Sequence, residues 1–186
     1  MKFKVEETRL KGAKVIIPEI YSDVRGCYIE TFSERDLSHI IDDKFVQDNL
    51  SYNIKDFTFR GFHYQVPPYT QSKLVRVVHG EVVDIIIDLR GKSPTFMKHY
   101  SVVLNDYNNN MLYVPEGFGH GFITLSVNAT LEYKVNKYYN KESSRTFTYK
   151  PNKTMSHKTF DEFIMSDADR NAKVFDVDNN PFKDWY

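Results

Sequence analysis

From about residue 45 onward the chain reads as short strands. β-Branched and aromatic residues dominate six segments: KLVRVV (73–78), EVVDIIIDLR (81–90), KHYSVVL (98–104), MLYVP (111–115), GFITL (121–125) and ATLEYKVNKYY (129–139). Turn formers separate them, at His79-Gly80, Gly91-Lys92-Ser93-Pro94, the asparagines 108–110 and Pro115-Glu116-Gly117. Even punctuation of this kind predicts an all-β sandwich or barrel. The first 20 residues alternate weakly and end in VIIPEI, which adds strands at the N-terminus. Two short peripheral helices are expected. One lies in SERDLSHII, with Ser33 as N-cap and Asp36 three residues on; the other lies in DADRNAK, capped by Ser166. With no internal repeat, low-complexity tract or linker, residues 1–186 read as a single domain.

Strand alternation gives each strand an inward and an outward face, and an inward polar residue is costly unless it serves a ligand. That filter selects a few positions. Arg60-Gly61-Phe62-His63-Tyr64-Gln65 sets a cation and an imidazole three apart, with Gln65 on the same face as His63. Lys73 opens the next strand beside the same mouth. His120 sits in EGFGHGF, where flanking glycines let backbone pass close to a bound group. Tyr133 shares a strand face with Leu131. Taken singly, each has an ordinary explanation, as a hydrogen-bonded histidine, a core tyrosine or a solvated strand end. As a set on adjacent strands they are hard to explain as packing. A catalytic metal is the rival reading. Metal-binding barrels commonly carry two histidines two apart on one strand, and here the second position is Gln65. His63, His120 and a carboxylate could still converge on an ion.

Composition narrows the class. A chain of 186 residues buries roughly 70% of the surface its unfolded form exposes, so its core needs no staple. Lys and Arg total 25, equal to Asp and Glu, so the basic face that nucleic acid demands is not expected. Small anionic ligands need only two or three local cations. The single cysteine, Cys27, forbids an internal disulfide and fits a reducing cytoplasm. MKFKVEETRLKG is charged where a signal peptide would be apolar, and no apolar run approaches the roughly 20 residues that span a bilayer. A cytoplasmic protein with neither nucleic acid nor membrane as partner is expected.

The motifs SDVRGCYIETF, FVQDNLS, RGFHYQ, GKSPTF and PEGFGHGF, in this order and spacing, resemble those of the dTDP-4-dehydrorhamnose 3,5-epimerases. The likeness runs from about Tyr21 to Tyr139 and returns at MSDAD (165–169). It implies a cupin-type jelly-roll barrel and a homodimer whose N-terminal segment is exchanged into the partner's sheet. It implies a nucleotide-sugar substrate whose C3 and C5 flank a 4-keto group. By the same resemblance His63 is the general base oriented by Asp169, Lys73 steadies the enolate, and Tyr133 protonates the opposite face. Arg60 and His120 resemble substrate-binding residues, as do Arg25, Glu30, Gln47 and Asn49 for the nucleotide, and Gln65 is grouped with them. The chemistry suits the residues, since histidine is a base near neutral pH and a fixed ammonium stabilises a developing oxyanion. It requires neither a redox nor a metal cofactor.

The sequence departs from the family pattern in its tail. Ser144 stands where a substrate-binding glutamate is usual, and Ala168 where a lysine precedes the dyad aspartate. Glu142 and Lys150 are the nearest replacement charges. These changes point to a related keto sugar, on another nucleotide, as a better substrate than dTDP-4-keto-6-deoxyglucose; a single-centre (C3 or C5) epimerase on a CDP- or GDP-linked keto sugar is the alternative reading. Stoichiometric metal would favour a metal-dependent cupin. Binding without exchange of ring protons would favour a sugar-binding module.

Overall fold

In a computed structural model, residues 2–149 and 162–186 are described. The strands are β1 (Phe3–Glu7), β2 (Lys14–Pro18), β3 (Ile20–Asp23), β4 (Gly26–Ile29), β5 (Gln47–Asn53), β6 (Phe59–Gln65) and β7 (Lys73–His79). They continue as β8 (Glu81–Asp88), β9 (His99–Asn105), β10 (Met111–Val114), β11 (Phe118–Thr124), β12 (Ala129–Val135) and β13 (Ser144–Thr146). The helices are single turns, α1 (Glu34–Leu37) and α2 (Asp167–Arg170). Ser33 and Ser166 cap them by accepting from the amides of Asp36 and Asp169.

A six-stranded sheet, β1-β2-β10-β7-β12-β5, faces a five-stranded sheet, β13-β6-β11-β8-β9, and β3 and β4 form a separate hairpin. Among the described residues no ladder joins the two sheets, so the expected barrel is a jelly-roll sandwich, open between its edges. Alternation sorts side chains into three apolar layers. Val75, Val77, Leu112 and Leu131 of the larger sheet meet Val82, Ile86, Leu104, Phe118 and Phe122 of the smaller one. Behind the smaller sheet, Phe59, Phe62, Val83, Ile85 and Ile87 are covered by Phe147, Phe163, Phe175 and Phe182 from the C-terminal segment. Behind the larger sheet, Ile16, Leu74 and Met111 pack under Leu37 and Ile41. β8 is apolar on both faces because both faces are covered.

Two boundaries differ from the sequence pattern. β11 starts at Phe118, three residues before the expected segment, because its glycines are packing positions. A Cβ on Gly119 would lie 2.5 Å from the Phe147 ring, and one on Gly121 2.8 Å from the Arg60 carbonyl oxygen. They admit neighbouring protein groups, where sequence alone suggested a ligand. β12 stops at Val135, since Asn136 takes over with its side chain: its amide oxygen accepts from Ser72 N at 2.9 Å, and its amide nitrogen donates to Asp43 and Glu116.

Candidate active site

The site lies inside one end of the sandwich and draws on both sheets. β6 would alternate strictly but for an irregularity opposite β11, where the pairing shifts between His120 and Phe122. Gly61 sits there at φ +146°, and a Cβ on it would lie 2.7 Å from the Gly121 Cα, so only glycine fits. The extra residue reverses the phase. Phe59 and Phe62 both point behind the sheet, while Arg60 and His63, three apart, both line the pocket. Lys73 of β7 and Tyr133 of β12 reach the same space from the six-stranded sheet. His120 of β11 is the register partner of His63 and lines one lobe beside Arg60.

Two histidine–aspartate pairs organise the pocket. His63 Nε2 donates to Asp169 Oδ1 at 2.7 Å, which leaves Nδ1 as the lone-pair nitrogen. Asp169 is buried on α2 and also accepts from Thr146 Oγ1 at 3.3 Å. Burial pushes its carboxyl up, but the hydrogen bond and charge of His63 together with Ser166 outweigh this and hold it below the ordinary value. The second pair is deeper. His120 Nε2 lies 3.0 and 2.9 Å from the two oxygens of Asp84, which is fully buried. Burial lowers the basicity of His120 despite Asp84, so its ring is neutral, with Nε2–H donating to the carboxylate. Its Nδ1 then faces Lys73 Nζ at 3.5 Å. Burial lowers the Lys73 pKa to about 8, with the charge of Asp84 opposing the fall. The ammonium also stands 5.8 Å from the centroid of the Tyr133 ring. Burial raises the Tyr133 pKa against the pull of Arg60, so the phenol keeps its proton at neutral pH.

The arrangement therefore places a base, a cation and a protonated phenol around one space. Among the described residues, no group of three or more His, Cys, Asp or Glu side chains is placed to hold a metal. The same residues include no helix long and apolar enough to cross a membrane.

The sequence profile of the dTDP-4-dehydrorhamnose 3,5-epimerases matches residues 7–176. This chain belongs to that family. The family enzyme of Shigella flexneri is 38% identical over 173 residues, covering 92% of this chain and 95% of its own. The crystal structure of the Bacillus anthracis family enzyme with TDP and pyrophosphate bound superposes with a TM-score of 0.87 at 35% identity, covering 93% of this chain and 99% of that one. The Legionella pneumophila family enzyme in complex with dTDP-4-keto-L-rhamnose gives a TM-score of 0.85 at 35% identity, covering 95% of this chain and 94% of that one.

Of the residues that the epimerase resemblance selected, His63, Lys73, Tyr133, Gln47, Asn49, Gln65, Arg60 and His120 line two adjoining lobes of one pocket, with Asp169 directly behind His63. Arg25 and Glu30 are elsewhere. Arg25 is on the hairpin turn, paired with Asp23, and Glu30 pairs with Lys2 at 2.6 Å; neither lines the pocket. Ser144 lines the pocket as expected of its position, whereas Ala168 is exposed on α2. Glu142 is exposed and does not line it, and Lys150 lies outside the described residues. Asp84 was missed. Its signal was present, since an aspartate between Val82 and Ile86 in inward phase interrupts an otherwise apolar strand. Tyr139, Gln71 and Ser51 also line the pocket, and nothing in their spacing singled them out.

Proposed function

We propose that this chain epimerises C3, C5 or both in a nucleotide-linked 4-keto-6-deoxyhexose, with dTDP-4-dehydro-6-deoxyglucose as the expected substrate. The observation that carries the reading is the opposition of His63 and Tyr133 on facing sheets of one pocket, with the Lys73 ammonium beside Tyr133 and His120. His63 Nδ1 takes the proton from a carbon beside the ketone. The electron pair left on carbon moves to the C4 oxygen, and the resulting enolate is met by the Lys73 ammonium. Tyr133 then gives its proton to the same carbon from the other face, so the centre inverts as the ketone re-forms. Fixed donors at a developing oxyanion typically contribute about 10²–10³ in rate each. Arg60, held by Nε to Asn53 Oδ1 at 2.8 Å, supplies the second cation for an anionic ligand.

The proposal extends to a homodimer. β1 and β2 pair within their own sheet beside β10, so the segment offered to a second copy is the hairpin β3–β4. Ile20, Tyr21, Val24 and Tyr28 of that hairpin are exposed, and Arg25 at its tip is remote from its own pocket lining. A second copy's hairpin would bring Arg25 and Glu30 to the nucleotide. The lone Cys27 and the neutral charge balance agree with work in the cytoplasm.

The test is incubation with dTDP-, CDP- and GDP-linked 4-keto sugars in D₂O, with NMR to read which carbon takes up deuterium. Uptake at C3 or C5 that His63→Asn abolishes supports the reading. Retention of more than a few per cent of wild-type exchange in a folded His63→Asn chain assigns the base elsewhere. A second reading, a single-centre epimerase or one for another nucleotide, is favoured by Ser144, which puts a neutral hydroxyl on the pocket wall where the family pattern has a carboxylate. Deuterium at one carbon only, or higher kcat/KM with a CDP or GDP sugar, would decide for it.

A further inference from the structure

Gln65 borders the pocket, yet it is 5% exposed and both ends of its amide are bonded to backbone. Nε2 donates to the Tyr69 carbonyl at 2.6 Å and to the Tyr138 carbonyl at 3.4 Å, and Oε1 accepts from Asn140 N at 2.7 Å. From the facing sheet, Gln47 Oε1 accepts from Tyr139 N at 3.2 Å, while its Nε2 donates to Asn49 Oδ1 at 2.7 Å. Three consecutive residues, 138 to 140, are thus gripped through their main chain by side chains from opposite sheets. The turn beyond them is continuous with the grip. Ser143 N donates to Asn140 Oδ1, and Ser144 N donates to the Asn140 carbonyl, before β13 returns to pair with β6. This turn carries the Tyr139 ring and Ser144, both of which line the pocket.

We infer that Gln65 is a positioning residue that ties the Tyr138–Ser144 turn across the open mouth of the sandwich, and that it acts on substrate binding only through that turn. A ligand-binding carboxamide needs a free donor or acceptor; both N–H donors of Gln65 are taken by the turn and its flank, which leaves only the second lone pair of a buried Oε1. The grip also answers a problem of this fold. Among the described residues no ladder joins the two sheets; the β13–β6 ladder fixes the far end of the turn at Ser144, and side chains fix its near end at residues 138–140.

The inference rests on the epimerase reading for its kinetic arm and is independent of it in its exchange arm. Gln65→Met keeps side-chain length and removes the amide. KM for the keto sugar should rise about tenfold or more with kcat within about threefold, since several hydrogen bonds that order the wall are lost while His63, Lys73 and Tyr133 stay in place. In a Tyr139→Ala background the same change should raise KM by less than about threefold, because the ring it positions is already gone. Full additivity would make Gln65 a direct ligand and overturn the inference, as would a loss confined to kcat. Amide exchange by mass spectrometry reads the grip without any substrate: the 138–144 peptide should exchange about tenfold faster in Gln65→Met, and unchanged protection would overturn the inference. Gln65→Glu keeps the acceptor for Asn140 and loses the donor to Tyr69 and Tyr138, so it serves if the methionine chain does not fold. An inactive wild-type protein whose variant still loses protection would sink the epimerase reading alone.

Discussion

Replacing Asp84 with asparagine should move the alkaline limit of activity downward. The carboxylate reaches Lys73 through one imidazole ring, with hydrogen-bond contacts of 2.9 Å to His120 on one side and 3.5 Å from His120 to the ammonium on the other. The charges are therefore about 8 Å apart, and at an effective dielectric near 20 their attraction is about 2 kcal/mol. That corresponds to roughly 1.5 pKa units. Lys73 begins at about 8, already depressed by burial and propped up by Asp84. The proposed step needs the cation, and on that reading activity falls as pH rises through the Lys73 pKa. Losing the prop lowers that pKa, so the Asp84→Asn enzyme should lose activity from about pH 6.5 upward, where the parent declines near pH 8. The asparagine oxygen still accepts from His120 Nε2–H, which keeps the ring in place. The measurement is kcat/KM for the keto sugar from pH 5.5 to 9.5, with the fold checked by circular dichroism. An alkaline limb that stays where it was, or moves upward, would refute the assignment of Lys73 as an electrostatic group governed by Asp84.

Other outcomes follow from the same geometry. Asp169→Asn should fold and lose about 10²–10⁴ in kcat, because the imidazole loses the carboxylate that fixes its tautomer; a near-normal rate would remove Asp169 from the pair. Tyr133→Phe should wash deuterium into the substrate with little inversion, since abstraction by His63 does not need the phenol; equal loss of both would make Tyr133 structural or an aid to enolisation. Gly121→Ala should cost about 1–3 kcal/mol, because its Cβ would meet the Arg60 carbonyl at 2.8 Å and a Phe62 ring carbon at 3.0 Å. Calorimetry should show a melting temperature lower by at least about 3 °C, and an unchanged value would show that β6 and β11 can part there at no cost.

Much of this site was legible because strand phase is a local property. Val75, Val77 and Leu131 alternate regularly, so Lys73 and Tyr133 had to point inward once the strands were recognised. His63 and Arg60 were found by residue type, yet alternation alone would have sent them to opposite faces; the bulge at Gly61 that unites them depends on a close approach to Gly121. Gln65 was found by its phase, while the Tyr69 and Tyr138 carbonyls that its amide meets could not be read, because backbone positions of distant loops leave no mark in a sequence. Asp43, Asn136 and Glu116 form a polar knot behind Ser72 for which no spacing gave notice, since its members come from three separate segments. Arg25 and Glu30 were chosen by motif, and their distance from the pocket lining is a fact of the hairpin's placement.

The two histidine–aspartate pairs use the same bond for different ends. In both, Nε2 donates to a carboxylate, which leaves Nδ1 as the lone-pair nitrogen, and that of His120 faces Lys73. His63 has a side chain 45% exposed beside Asp169, which leaves its ring open to the pocket, as the proposed base must be. His120 is 7% exposed with Lys73 against its free nitrogen, so charging it would set two buried cations side by side. Burial suppresses that charge, and the neutral ring serves instead to hand the field of Asp84 on to the ammonium. The two pairs thus differ in what their rings can meet: His63 opens to the pocket in front of a buried Asp169, whereas His120 is enclosed between Asp84 and Lys73.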